Sequence, residues 1–319
     1  MRRSTVLLLL SLITFSAQAQ FNWWNQTHNW DGATPWTHYM TYSHAFLGPN
    51  ALPIPTVAGA HRNYVSSSTQ ISLRGDDQFV NWHNEVQLVS GKTLFNVVHQ
   101  SVEAFRTTTD VRDLRASRGK SGQGIQAGDV IVNISHRLYE NNDAGTTEVY
   151  FTTHLKTAAG PLNNARFTDA PGYAFFFTGR WNPKYTRFWI SSNAGFQVYQ
   201  THWVDYPQND GFLGNVLITQ RMDHGIGLQA ELKTFTGYFR DGDWPRILNL
   251  SIDRNFGGKS RSVLQWTKGL NDYPFSYLSV THMIFLDGTR AAFALSSASF
   301  FHFFCSVLSP RFLYVLASS

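Results

Sequence analysis

Hydrophobic and polar positions alternate one by one over long stretches of this chain, most clearly from Gly128 to Gly160. Val130, Val132, Ile134 and Leu138 fall on one side of that alternation and Asn133, Ser135, Arg137 and Tyr139 on the other. Successive side chains of a strand point to opposite faces, so the segment predicts a strand with one greasy and one wet face. Asn142, Asp143 and Gly145 supply turn chemistry. The pattern then resumes, with Val149, Phe151 and Leu155 facing away from Glu148, Tyr150, Thr152, His154 and Lys156.

The same period recurs along the chain. From Phe79 to Ser90, Val80, Trp82, Val86 and Leu88 oppose Asn81, His83, Glu85 and Gln87, and Ser90, Gly91 and Lys92 turn into a second segment, Leu94 to Phe105. There Val98 and Val102 oppose His99, Ser101 and Glu103. Arg106 to Ala127 is charged and Gly-rich and reads as an exposed loop. Tyr173, Phe175 and Phe177 start another strand. Tyr185 to Gln200 follows, with Phe188, Ile190, Ala194, Phe196 and Val198 opposite Arg187, Asn193 and Gln197. Phe212 to Arg221 and Ile226 to Phe239 form a hairpin, and Ile247 to Asp253, Ser262 to Lys268 and Tyr277 to Leu286 continue the series. A final strand is expected over Ala291 to Phe304. The expected fold is all-β, an antiparallel transmembrane β-barrel of about 12 strands, since barrels of this kind carry even strand numbers.

Composition narrows the class. The chain has 319 residues, 15% aromatic and 15% charged, against roughly 25% charged in a typical soluble domain. A lipid-facing band accounts for the missing charge. A mean hydropathy of -0.23 speaks against helical spans of about 20 apolar residues, whereas a barrel dilutes its outer band with a polar interior. Arg2 and Arg3, the apolar run Val6 to Phe15 and the Ala17, Gln18, Ala19 site read as a signal peptide over residues 1–19. Loss of Arg2 and Arg3 takes the formal charge from +5 to +3, too little to support a nucleic-acid partner. Cys305 stands alone, which rules out an intrachain disulfide and with it a small disulfide scaffold. The division expected is an aromatic and His-rich segment over 20–60, a barrel over 61–305 and an irregular tail over 306–319. Trp23, Trp24, Trp30, Trp36, Tyr39 and Tyr42 in the first of these are expected to pack at a barrel mouth or membrane interface.

Signal peptide, absent disulfide and repeated dyad strands with alternating short and long connections resemble the Gram-negative outer-membrane β-barrel proteins. Gly128, Asp129, Val130 through Arg137 and Leu138, then Lys156 and Gly160, further resemble the strand pair of transporter barrels linked to phenol-degradation operons. That narrower resemblance covers about a tenth of the chain. The resemblance implies an outer-membrane location, outer-membrane lipids as surroundings and a passive channel or transporter activity for small solutes, porin-like in kind. Such barrels typically finish on an aromatic residue; this chain departs from them with Ala317, Ser318 and Ser319.

The wet faces supply candidate pore-lining residues: the cations Arg137, Lys156, Arg180, Arg187, Arg221 and Lys233, the acids Glu85, Glu103, Glu148 and Glu231, and His154. Charged groups in a narrow channel bias which ions pass, and the cationic lean predicts a mild anion preference. The competing expectation is that these charges pair across strands and fill a narrow lumen. A lipid hydrolase is a rival class, through Ser43 with His44 or Ser135 with His136. Strand neighbours face opposite ways, so neither pair can hydrogen-bond unaided, and no G-x-S-x-G or H-E-x-x-H motif is present. A soluble carbohydrate-binding β-sandwich is the other rival, because it also buries one face of each strand. Aromatic girdles separate the two, and Tyr173, Trp181, Tyr185, Trp189, Tyr199, Trp203 and Tyr206 are expected at strand ends as such a girdle. The 12 His residues are scattered without ligand spacing, so no metal and no cofactor is expected.

Overall fold

A computed structural model describes residues 23–35, 48–50, 61–168, 171–200, 208–236 and 244–286. The expected signal peptide, Ser43 with His44, Trp203, Tyr206 and the strand expected over Ala291 to Phe304 lie outside these residues.

The alternating segments become β1 (Tyr64–Ser72), β2 (Asp77–Ser90), β3 (Thr93–Thr107), a short β4 (Gln123–Gln126), β5 (Val130–Asn141), β6 (Gly145–Lys156) and β7 (Gly172–Pro183). β8 (Phe188–Gln200), β9 (Gln208–Arg221), β10 (Ile226–Phe235), β11 (Arg246–Phe256), β12 (Ser260–Asn271) and β13 (Ser276–Phe285) complete the set. All pairings are antiparallel, and β1 pairs with β2 on one side and β13 on the other. The sheet therefore closes on itself as a ring of twelve strands, with β4 added along the upper part of β3. Closure removes the sheet edges that a sandwich would leave. The expected barrel is what the chain forms, and a soluble sandwich is excluded.

Connections differ at the two ends. Tight turns of two to four residues follow β2, β5, β7, β9 and β11. The opposite end carries the longer segments 108–129 and 157–171. The ring is closed at Phe285.

The greasy faces point outward. Ile134, Leu155, Phe177, Phe196, Val216, Leu232, Leu250 and Val280 are all between 40 and 60% exposed, which is the reverse of a water-soluble core. The interior faces are polar: Ser135, Thr152, Thr178, Asn193, Asn215, Asn249, Thr267 and Ser279 are buried. Among the described residues no helix is long and apolar enough to cross a membrane.

Several expected positions differ. In β5 the register shifts between Arg137 and Tyr139, so Tyr139, expected beside Arg137 on the wet face, is 50% exposed on the outside. An extra residue in one strand flips the alternation beyond it. A second shift lies between Trp82 and His83, where β3 carries one more residue, Ser101. As a result Val98 faces inward opposite Glu85 and His99 lies opposite Asn84, the reverse of the expected assignment. In the girdle, Trp181 and Tyr185 are 46% and 95% exposed. Tyr199, by contrast, is buried, and Trp189 takes the cationic face of Arg180 at 5.2 Å; both belong to the inward set of β8.

Candidate functional site: the barrel interior

The segment expected as an exposed loop, Arg106 to Ala127, instead folds over the mouth. Thr108 caps a short helix, Thr109–Leu114, by accepting a hydrogen bond from Val111 N. The turn that follows buries Arg115, Ala116 and Ser117. Arg115 Nη2 meets Asp77 Oδ2 at 2.5 Å. From the facing segment, Arg166 Nη1 meets Asp77 Oδ1 at 2.7 Å and Arg166 Nε meets Glu103 Oε1 at 2.8 Å. The side chains of Asp77, Glu103 and Arg166 are fully removed from solvent. Burial pushes the Arg115 guanidinium down, against the pull of Asp77. Burial acts the same way on Arg166, but Glu103 and Asp77 outweigh it and its pKa is raised. Buried charges persist only when paired in this manner.

The N-terminal residues join the same cluster. Asn50 Nδ2 donates to Glu103 Oε1 at 2.8 Å, its Oδ1 accepts from Asn81, and Tyr273 donates its hydroxyl to Pro49 O. Trp24, fully buried, donates from Nε1 to Ala116 O at 3.0 Å. Arg112 and Arg118 lie over the rings of Trp23 and Trp24. These two tryptophans thus pack at the barrel mouth.

Below this lid Asp129 and Lys156 pair at 2.8 Å, with Asp129 Oδ1 also accepting from the backbone of Ala159 and Gly160. A Cβ at Gly128 or Gly160 would come within 2.6 Å of the buried Phe167 ring. That explains glycine at both ends of the stretch in which the alternation is clearest.

Toward the turn end the charges are again paired. Glu148 Oε1 accepts from Arg137 at 3.4 Å and from the Tyr150 hydroxyl at 3.0 Å, and its Oε2 accepts from Arg180 at 2.8 Å. Asp253 lies between Arg221 at 2.5 Å and Arg261 at 2.8 Å. Glu85 accepts from Tyr64, Ser66 and Asn96, all uncharged donors. Glu231 accepts from Asn215 and Asn249 and lies 3.5 Å from Lys233. His154 Nδ1 is 2.7 Å from Asn133 Oδ1.

Ten of the eleven expected lining residues thus face inward, in separate paired groups. Arg187 is the exception. It precedes β8, pairs with Asp223 at the turn end, and both side chains are exposed. Ser135 is buried against Thr152 while the adjacent His136 reaches Thr93 on the outside, the opposed placement that strand geometry requires.

Asp77, Arg115, Asp129, Arg166, Asp253 and Arg261 were not among the expected residues. The partners are as far as 89 residues apart in sequence, and no spacing rule relates them. The available signal was weaker: arginines in the long connections, with acids at the start of β2 and just before β5.

A cavity of about 170 Å³ remains inside the ring. It is lined by Lys156, Lys233, His83 and Gln100 with the apolar Val98, Ile131, Phe167 and Ile247.

An outer-membrane channel from Pseudomonas putida F1 superposes on this barrel with a TM-score of 0.53. The match covers 75% of this chain and 98% of that one at 11% sequence identity. The fold is that of an outer-membrane β-barrel. The NanC porin, with a TM-score of 0.48 over 70% of this chain and all of that one at 9% identity, and the KdgM porin, at 0.44 over 70% and 99% with 9% identity, are also similar in shape. No protein-family model and no curated protein matches the sequence.

Proposed function

We propose that this barrel resides in the outer membrane among its lipids and serves as a passive channel or transporter for small solutes. The observation that carries this reading is the inversion of the ring, apolar outside and polar inside, around a cavity. Tight turns at one end and longer segments at the other are the usual periplasmic and extracellular ends of such barrels, so Arg115 and Arg166 sit on the extracellular side. At the periplasmic end Asp253 faces two arginines, Arg221 and Arg261, and that group carries one net positive charge, which supports a mild anion preference. Glu148 also faces two, but Arg137 is shared with Glu140 at 3.0 Å, so that group is balanced.

Recording purified protein in planar bilayers under a potassium chloride gradient tests both parts. The expected result is a small conductance with a reversal potential on the chloride side. No conductance at all, or a potassium-side reversal, would overturn the reading.

A closed resting state has its own support in the lid, because Asp77, Glu103, Arg115 and Arg166 are almost without solvent contact. Full-size open-porin currents in the wild-type protein would exclude it.

A further inference from the structure

We propose that the cavity in the barrel interior is a binding site for a small monocarboxylate with an apolar body, with Lys233 and Gln100 receiving its carboxylate. The proposal deepens the channel reading and rests on it.

The cavity walls hold more donors than acceptors. Lys233, on β10, has a side chain only 12% exposed, and its ion pair is with Glu231 at 3.5 Å. Glu231 meanwhile accepts from Asn215 and Asn249 at 3.2 and 3.0 Å. An ammonium has three N–H groups, so Lys233 has capacity that one long contact does not use.

Gln100 is 7% exposed. Its amide Nε2 is buried with no hydrogen-bond partner, as is Nε2 of His83 directly across the β2–β3 pairing. Buried polar nitrogens are paired in all but a few cases, and here two unpaired ones occur on neighbouring strands that line the same cavity. Lys156 and Asp129, also in the wall, pair with each other at 2.8 Å and cancel. What remains in the wall is the ammonium of Lys233, whose long contact with Glu231 leaves N–H groups to spare.

The rest of the lining decides the body of the ligand. Val98, Ile131, Phe167 and Ile247 are apolar, and Asn249 Oδ1, also in the wall, already accepts from Thr267 at 2.8 Å. A cation would face the ammonium of Lys233, and a dianion would ask for more donors than Lys233 and Gln100 offer. A single carboxylate matches the donors, because a charged acceptor forms the stronger hydrogen bonds, and its apolar remainder covers the aliphatic wall.

Benzoate titrated calorimetrically into the full chain in detergent is the test, with benzyl alcohol and benzylammonium as neutral and cationic probes of the same shape. Benzoate is expected to bind saturably and about tenfold or more tighter than either comparator. Lys233→Met should abolish that margin, Lys233→Arg should retain it, and Gln100→Leu should weaken benzoate several-fold. Equal binding of the three probes, or full benzoate affinity in Lys233→Met, would overturn the site. If Lys233→Met fails to fold, the ranking of probes on the wild type and Gln100→Leu decide. Chloride conductance measured on the same preparation separates the two readings. Conductance without benzoate binding overturns the site alone, and benzoate binding without any conductance overturns the channel alone.

Discussion

Glu148 is a single carboxylate held between Arg137 and Arg180, and its own strand explains why. Arg180 is its direct cross-strand partner on β7, and the Tyr150 hydroxyl two residues along the same face donates to the same oxygen as Arg137. Opposite charges placed directly across an antiparallel pair attract, and the 8% exposure of the Glu148 side chain limits screening by solvent. Glu148→Gln keeps the shape but leaves Arg180 facing a neutral amide and Arg137 with Glu140 as its remaining acid. We expect the chloride preference to rise, read as a larger chloride-side reversal potential, together with a stability loss of about 1–3 kcal/mol in urea titrations of the folded barrel. An unchanged reversal potential would show that these arginines lie off the ion path. At this scale the alternation was a good guide: Glu148, His154 and Lys156 fall on the inner face as their positions require. It was silent on Asp129 and Arg166, because an ion pair formed by a loop residue leaves no periodic trace; Asp253 does hold an inner position of β11, alternating with the exposed Leu250 and Ile252, and was passed over. Arg187 was misread for a related reason. It continues the alternation of β8 into a turn, where alternation no longer assigns a face.

Each strand reads as a unit whose outer residues are apolar and exposed and whose inner residues meet one another. β9 shows this: Val216 and Ile218 are 47% and 42% exposed while Asn215 and Thr219 on either side of them are buried. Val216 lies opposite Leu232 on β10 and Ser192 on β8, well inside all three strands. Val216→Arg places a guanidinium in the middle of the outer band, which costs about 2–4 kcal/mol at the bilayer midplane. The measurement is reversible urea unfolding from lipid vesicles, with Gln220→Arg near the turn end expected to lose under about 1 kcal/mol. Equal losses at both positions would mean that the band is not lipid-facing. Eleven of the twelve ring strands were legible, because an apolar outer face and a polar inner face impose a two-residue period; β1 was not read, since the run Ser66 to Thr69 carries no apolar residue to mark a face. Faces were misassigned only past an irregularity. Ser101 in β3 and the shift after Arg137 in β5 each move one residue out of step, and Val98, His99 and Tyr139 follow. A bulge depends on the partner strand, which the local sequence does not contain.

The whole molecule is a ring whose mouth opposite the tight turns is covered by its own chain, and that cover hangs on a few buried charges. Arg166 joins segment 157–171 to β2 through Asp77 and to β3 through Glu103. Arg115 brings segment 108–129 to the same Asp77, and Asn50 adds the N-terminal chain through Glu103. Three segments of the chain thus meet at two carboxylates, one on β2 and one on β3. Removing one member of a buried ion pair costs about 3–5 kcal/mol because the survivor stays charged and unpaired. Here that cost has an escape other than unfolding the barrel. The strands retain their ring of backbone hydrogen bonds, so the segment can lift away and let water reach Asp77 and Glu103. Arg166→Met should therefore raise single-channel conductance and expose Arg115 and Arg118 to trypsin, while heat-modifiable migration of the barrel persists. Arg187→Gln is the matched control: its pair with Asp223 is solvent-exposed, and such pairs contribute about 0–1 kcal/mol, so neither conductance nor proteolysis should change. A rise in conductance confined to Arg166→Met locates the barrier at the lid. Wild-type currents in that variant would place the barrier lower, at the Glu148 and Asp253 groups, and would make the periplasmic end the part of the barrel that selects.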